Sequence, residues 1–125
     1  MCDWDPMDLA TPDFERVSEV FDLEDKDDVE LLGELLDTVL GQAPDALAAL
    51  IAAQKQGDRA AVDKVAHGLK SSFGNVGYLQ ASQLFQRIME EARSPSCAEL
   101  DELIAQLEKG SSELLRGLQD FRDQL

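Results

Sequence analysis

The stretch RAAVDKVAHGLKSSFGNVGYLQASQLFQRIMEEA (59–92) reads as two helices joined at a glycine. In its first half Val62, Val65, Ala66, Leu69, Phe73 and Val76 recur at i, i+3, i+4, i+7, i+11 and i+14, which draws one apolar stripe along a helix. Gly77 is the natural stop. In the second half Ala81, Leu84, Phe85, Ile88 and Ala92 share a face, and this helix is expected to end near Ser94. Two striped helices with a short link need further apolar faces to bury against.

The flanking sequence supplies them. Upstream, residues from about Asp27 to Gln56 carry Leu32, Leu35, Leu36, Val39, Ala43, Leu47, Leu50 and Ile51 on one stripe. Pro44 removes the backbone bond to Leu40, so a kink helped by Gly41 is expected there. Gly57 ends this helix and Asp58 caps the next. Downstream, Ser96 followed by Glu99 reads as a capping box. The last helix then turns Leu100, Leu103, Ile104, Leu107, Leu114, Leu118 and Phe121 inward, with Leu125 able to join them, and Gly110 is a weak point within it. Near the start, Thr11 is expected as N-cap and Pro12 in the first turn of a short helix carrying Phe14, Val17 and Phe21. The acidic run 22–28 is either a solvated connector or the first turn of the next helix. The expected fold is all-α: an antiparallel up-down-up-down four-helix bundle with a short extra N-terminal helix. Residues 1–10 are expected to be a loose lead-in, with Trp4 able to pack on the body, and 11–125 to form one domain.

Composition agrees with one helical core. The 125 residues are 44% hydrophobic but only 6% aromatic, which favours helices over strands. Twenty-six acidic against 11 basic side chains give a formal net charge of −15, so a nucleic-acid or anionic-membrane partner is not expected. Cys2 and Cys97 are far apart and point to no structural disulfide, which suits a reducing cytoplasm. The acidic N-terminus does not read as a signal peptide, and the longest apolar run, 46–53, is too short to span a membrane.

The chemistry is expected on the helix that opens the quoted stretch. His67 is the only histidine. At ~100° per residue it lies roughly 140° around from Val62, off the apolar stripe, and should project to solvent. Its outer-face neighbours are mostly small: Ala60, Gly68, Ser71 and Gly74, with Lys64 one turn away. A glycine inside a helix costs about 1 kcal/mol relative to Ala, and close approach by another protein surface is one use for that cost. Fraying of the helix end is the other reading of Gly74 and Gly77. Lys64 at i−3 and Lys70 at i+3 flank the ring; they are either solvated lysines or cations that steady an anion on the imidazole. A free imidazole titrates near about 6.5, and its neutral form has a nucleophilic nitrogen able to take a phosphoryl group.

Other motifs fall away. LKSS (69–72) lacks the glycine of a phosphate-binding loop and reads as mid-helix. Counting an EF-hand from Asp25 puts Glu30 at the glycine position and Leu36 at the last ligand. One histidine and two distant cysteines make no zinc site, so no metal is expected on this chain.

Residues 66–92 resemble the histidine phosphotransfer (HPt) family, whose signature is roughly H-x-L-K-G-S-S-x-x-x-G. His67 matches the phospho-accepting histidine, Leu69 and Lys70 the following Leu and Lys, Ser72 the first Ser, and Gly77 the last Gly. Asn75 and Val76 suit the Asn-Leu that usually precedes that glycine. The resemblance in helix order runs from about Asp27 to the C-terminus. Ser71 stands where Gly is commonest, Phe73 where a small residue is usual, and Tyr78 where Ala is typical. Phe73 falls on the core stripe and reads as packing; Ser71 could bind a phosphoryl group or narrow access to the ring.

The resemblance implies a phosphorelay intermediate, without an ATP site, that takes a phosphoryl group on Nε2 of His67 and is steadied by Lys70. The expected partners are receiver domains of response regulators or hybrid histidine kinases, which would bring their own Mg²⁺. The docking face would include Ala60, Lys64, Gly68, Ser71, Gly74, Asn75 and Gly77. Two other classes stay open at this point: a helical adaptor that binds partners without phosphotransfer, and an acidic mimic that occupies a basic surface.

Overall fold

The computed structural model of the protein describes residues 6–96 and 99–125, so the expectations for Cys2, Trp4 and Cys97 lie outside the described residues. Among those residues the secondary structure is entirely helical: α1 (Pro6–Leu9), α2 (Phe14–Val20), α3 (Lys26–Lys55), α4 (Arg59–Asn75), α5 (Leu79–Arg93) and α6 (Leu100–Gln124). The four long helices pack in chain order, α3 on α4, α4 on α5 and α5 on α6, and α6 closes the ring on α3. Polar contacts fix which ends meet. Gln54 pairs with Asp101, and Arg122 donates to Asp37 at 2.8 Å, both between α3 and α6. Arg93 meets Asp63, and the Ser82 hydroxyl donates to the Lys70 carbonyl, both between α4 and α5.

The core follows the stripes. Leu32, Leu36, Val39, Ala43, Leu47 and Leu50 of α3 are buried, while Leu35 and Ile51 are half-buried. Val62, Ala66, Leu69, Phe73 and Val76 are buried, and Val65 sits at the edge. The five apolar positions expected on α5 are all buried, as are the inward positions of α6, but Leu125 is exposed. Helix α3 continues without interruption through Pro44, and α6 through a buried Gly110, so neither residue divides its helix. By length and composition alone α3 could cross a membrane, which the short run 46–53 did not suggest; its buried positions nevertheless lie along one stripe against the bundle.

Two helix ends use the same device. Gly57 has φ 72° and Gly77 φ 87°, left-handed values that favour glycine. At the first end Asp58 N–H donates to Ala53 and Gly57 N–H to Gln54; at the second Tyr78 N–H donates to Phe73 and Gly77 N–H to Gly74. These are Schellman closures, and they satisfy carbonyls the helix cannot. Asp58 then accepts from Ala61 N–H at 3.1 Å and so opens α4.

Three local expectations are corrected. Residues 1–10 are not wholly a loose lead-in, because Pro6–Leu9 form a helical turn whose Leu9 is buried. The N-cap of α2 is Asp13, not Thr11: its carboxylate accepts from Arg16 N–H at 3.1 Å, and Pro12 is buried ahead of the helix. The Ser96–Glu99 capping box does not form. Arg87 takes the Glu99 carboxylate at 2.6 Å, the Glu99 N–H goes to Glu91, and Ser96 pairs its hydroxyl with Ser94.

Candidate functional site

His67 lies near the middle of α4 and is exposed, opposite the stripe that buries Ala66 and Leu69 beside it. No hydrogen bond or ion pair engages its ring among the described residues. Lys64 is exposed and Lys70 half-buried, and the ammonium group of neither is paired within the fold. On a helix, positions three residues before and after the ring fall on opposite sides of it. Lys64 therefore stands on the α3 side and Lys70 on the α5 side.

The α3 side opens into a groove of about 400 Å³. Val39, Ala43 and Ala46 of α3 and Val65 and Leu69 of α4 make it mostly apolar, with Lys64 and Gly68 on its α4 edge. A side chain at Gly68 would meet nothing within 4 Å, so this edge is open to an incoming surface. On the α5 side the Ser82 hydroxyl donates to the backbone carbonyl of Lys70 at 3.1 Å and holds α5 close to α4.

Of the expected docking positions, Ala60, Lys64, Gly68, Ser71 and Asn75 are exposed on α4. Gly74 and Gly77 are corrected. Gly74 is half-buried, and a Cβ there would lie 3.3 Å from Ser82 Oγ, so its small size serves the α4–α5 approach. Gly77 is buried under α2: Val17 occupies the space a side chain would need, and Asp13 N–H donates to the Gly77 carbonyl at 2.7 Å. Tyr78, noted for departing from the family pattern, is fully buried against Phe73 and Phe121.

The bundle adds what a one-helix reading missed. Asp63 precedes His67 by four residues, and Arg93 at the end of α5 donates through Nε to both its oxygens, at 3.1 and 3.0 Å. Arg59 donates to the carbonyls of Ala92 and Ser94, which closes the same end of α5. Asp63 was visible in the sequence; its partner lies 30 residues away and only the hairpin brings it there. The α4–α5 region also carries a small positive charge on an acidic chain. Residues 59–93 hold five Lys or Arg against three Asp or Glu, a net of +2, whereas the other 90 residues carry −17. Among the described residues no group of three or more His, Cys, Asp and Glu side chains is gathered to hold a metal ion.

A search of curated proteins and a search of solved structures gave no match. The Hpt domain model matches residues 34–116, which takes in the groove-lining part of α3, all of α4 and α5, and most of α6. With about two thirds of its length inside that match, the chain belongs to the Hpt domain family.

Proposed function

We propose that this protein is a phosphorelay intermediate in which His67 takes a phosphoryl group from the phosphoaspartate of one receiver domain and passes it to the aspartate of another. Hpt domains are phosphocarriers of two-component signalling and act with receiver domains. The observation that carries the assignment to His67 is its setting: the only histidine of the chain stands exposed on α4, its ring free of any hydrogen bond among the described residues, with a lysine one turn away on each side.

The chemistry follows from that setting. A neutral ring nitrogen that no neighbour occupies is available as a nucleophile. The phosphoryl group it accepts is dianionic near neutral pH, and the Lys64 and Lys70 ammonium groups offset that charge. Docking supplies the in-line geometry, and the receiver supplies Mg²⁺ and most of the electrostatic catalysis. Ala60, Gly68, Ser71 and Asn75, with Lys64, give the receiver a low surface around the ring. The paired ends Gln54–Asp101, Arg122–Asp37 and Arg93–Asp63 support an antiparallel up-down-up-down order for the long helices. The acidic body and the +2 hairpin support a receiver that brings its acidic phosphorylation pocket to α4 and α5. The setting we propose is the cytoplasm.

Incubation with a receiver domain phosphorylated on its aspartate tests this reading. Acid-labile phosphate is expected on the wild type and not on His67→Gln. No label on the wild type, or equal label on the variant, rejects His67 as the carrier and favours an adaptor that binds without transfer.

A further inference from the structure

Asp63 puts a carboxylate beside the proposed phosphoryl site. It precedes His67 by four residues, which is about 6 Å along the helix axis and about 40° around it. A carboxylate there opposes the arrival of a dianionic group on His67. The fold answers this charge from another helix. Arg93, in the last turn of α5, donates from Nε to both Asp63 oxygens, at 3.1 and 3.0 Å. The Asp63 side chain is 29% exposed and that of Arg93 63%. The guanidinium thus covers the carboxylate from the solvent side, and its terminal amino groups have no other partner among the described residues. An exposed pair of this kind adds little to folding. Its place beside His67 gives it something else to do.

We infer that Arg93 is a positioning residue for phosphoryl transfer, acting through Asp63: it neutralises the carboxylate next to His67 and so sets how far the phosphoryl equilibrium lies toward histidine. The inference rests on the phosphocarrier reading above. In the step concerned, the P–O bond of the receiver's acyl phosphate breaks and a P–N bond forms on the His67 ring. The receiver aspartate leaves as its carboxylate, and the proton on the other ring nitrogen stays in place. With that proton kept, the phosphorylated side chain carries two negative charges on phosphorus oxygens and one positive charge on the ring, a net gain of one negative charge over the neutral imidazole. An uncompensated carboxylate one turn away disfavours that product by about three- to tenfold at ordinary salt.

The test is the plateau of phosphoryl transfer between a phosphorylated receiver domain and four forms of this protein: wild type, Arg93→Gln, Asp63→Asn and the double variant. Thermal midpoints are recorded beside it. Arg93→Gln is expected to move the plateau toward the receiver by about three- to tenfold, and Asp63→Asn to leave it at or beyond the wild-type value on the histidine side. The double variant is expected to recover the wild-type plateau, and Arg93→Lys to keep most of it. A purely structural pair predicts the opposite pattern, with both single variants shifted in the same direction, in step with their melting points. That result, or equal plateaus for all forms, overturns the inference while the carrier reading stands. Absence of label on the wild type overturns both.

Discussion

The hydroxyl of Ser82 donates to the backbone carbonyl of Lys70 at 3.1 Å, and the same hydroxyl stands 3.3 Å from where a Cβ at Gly74 would lie. One small residue on α4 therefore lets α5 come close enough to pin the backbone beside the half-buried Lys70. Gly74→Leu is expected to push the helices apart and cost about 2 kcal/mol in urea unfolding. Gly74→Ala should stay within about 1 kcal/mol of wild type, because the gain in helix propensity opposes the shift asked of Ser82. A Gly74→Leu protein that unfolds like wild type but fails to receive phosphate would return Gly74 to the docking face.

Gly77 makes a stronger demand. Its φ of 87° is left-handed, and Val17 fills the space beside it. Gly77→Ala meets both the backbone penalty and the clash with α2, with an expected loss of about 2–3 kcal/mol. Truncating the obstacle, in Gly77→Ala/Val17→Ala, removes the clash but also a buried side chain. The double variant should therefore be no more stable than Gly77→Ala. Denaturant midpoints of the single and double variants decide the matter.

Tyr78 is buried with its hydroxyl lacking a hydrogen-bond partner among the described residues. Burial, with Asp120 adding to it, raises its ionisation above the ordinary value of 10.0. The sign for stability follows from proton binding. Above about pH 10 the unfolded chain releases the phenolic proton while the folded chain keeps it, so folding is progressively penalised as pH rises. Tyr78→Phe removes both the orphan hydroxyl and this titration. It should be at least as stable as wild type at pH 7, by up to about 1 kcal/mol, and should lose less stability between pH 9 and 11. Parallel slopes for the two proteins would show that Tyr78 does not titrate with unfolding.

These residues also mark where the sequence was readable. The stripes through Val62–Val76 and Ala81–Ala92, the stops at Gly57 and Gly77, and the outward direction of His67 all follow from periodicity and glycine chemistry within one segment. They reappear in the structure with boundaries moved by only a residue or two. What was misread depends on segments that meet only after folding. Gly74 and Gly77 looked like parts of a docking face because Ser82 and Val17, which they accommodate, belong to other helices. Glu99 fitted a capping box until Arg87 of α5 took its carboxylate. The apolar groove beside Lys64 needs α3, and the cover over Asp63 needs the end of α5.

Lys64 and Lys70 are separated by their surroundings more than by their distance from His67 in sequence. Lys64 is exposed at the groove edge, so its charge is well hydrated and screened; Lys70 is half-buried on the α5 side, where the backbone that carries it is held by Ser82. A positioned, partly desolvated ammonium group acts more strongly on a developing anion than a mobile, solvated one. Lys70→Ala should slow single-turnover transfer from a phosphorylated receiver by about tenfold, and Lys64→Ala by about twofold. The Lys64 effect should shrink as salt is raised and the Lys70 effect should persist. Unfolding free energies should stay within about 0.5 kcal/mol of wild type, since neither ammonium group is paired within the fold. Equal rates for Lys70→Ala and wild type would remove Lys70 from the transfer step and leave His67 to act with the receiver's own cations.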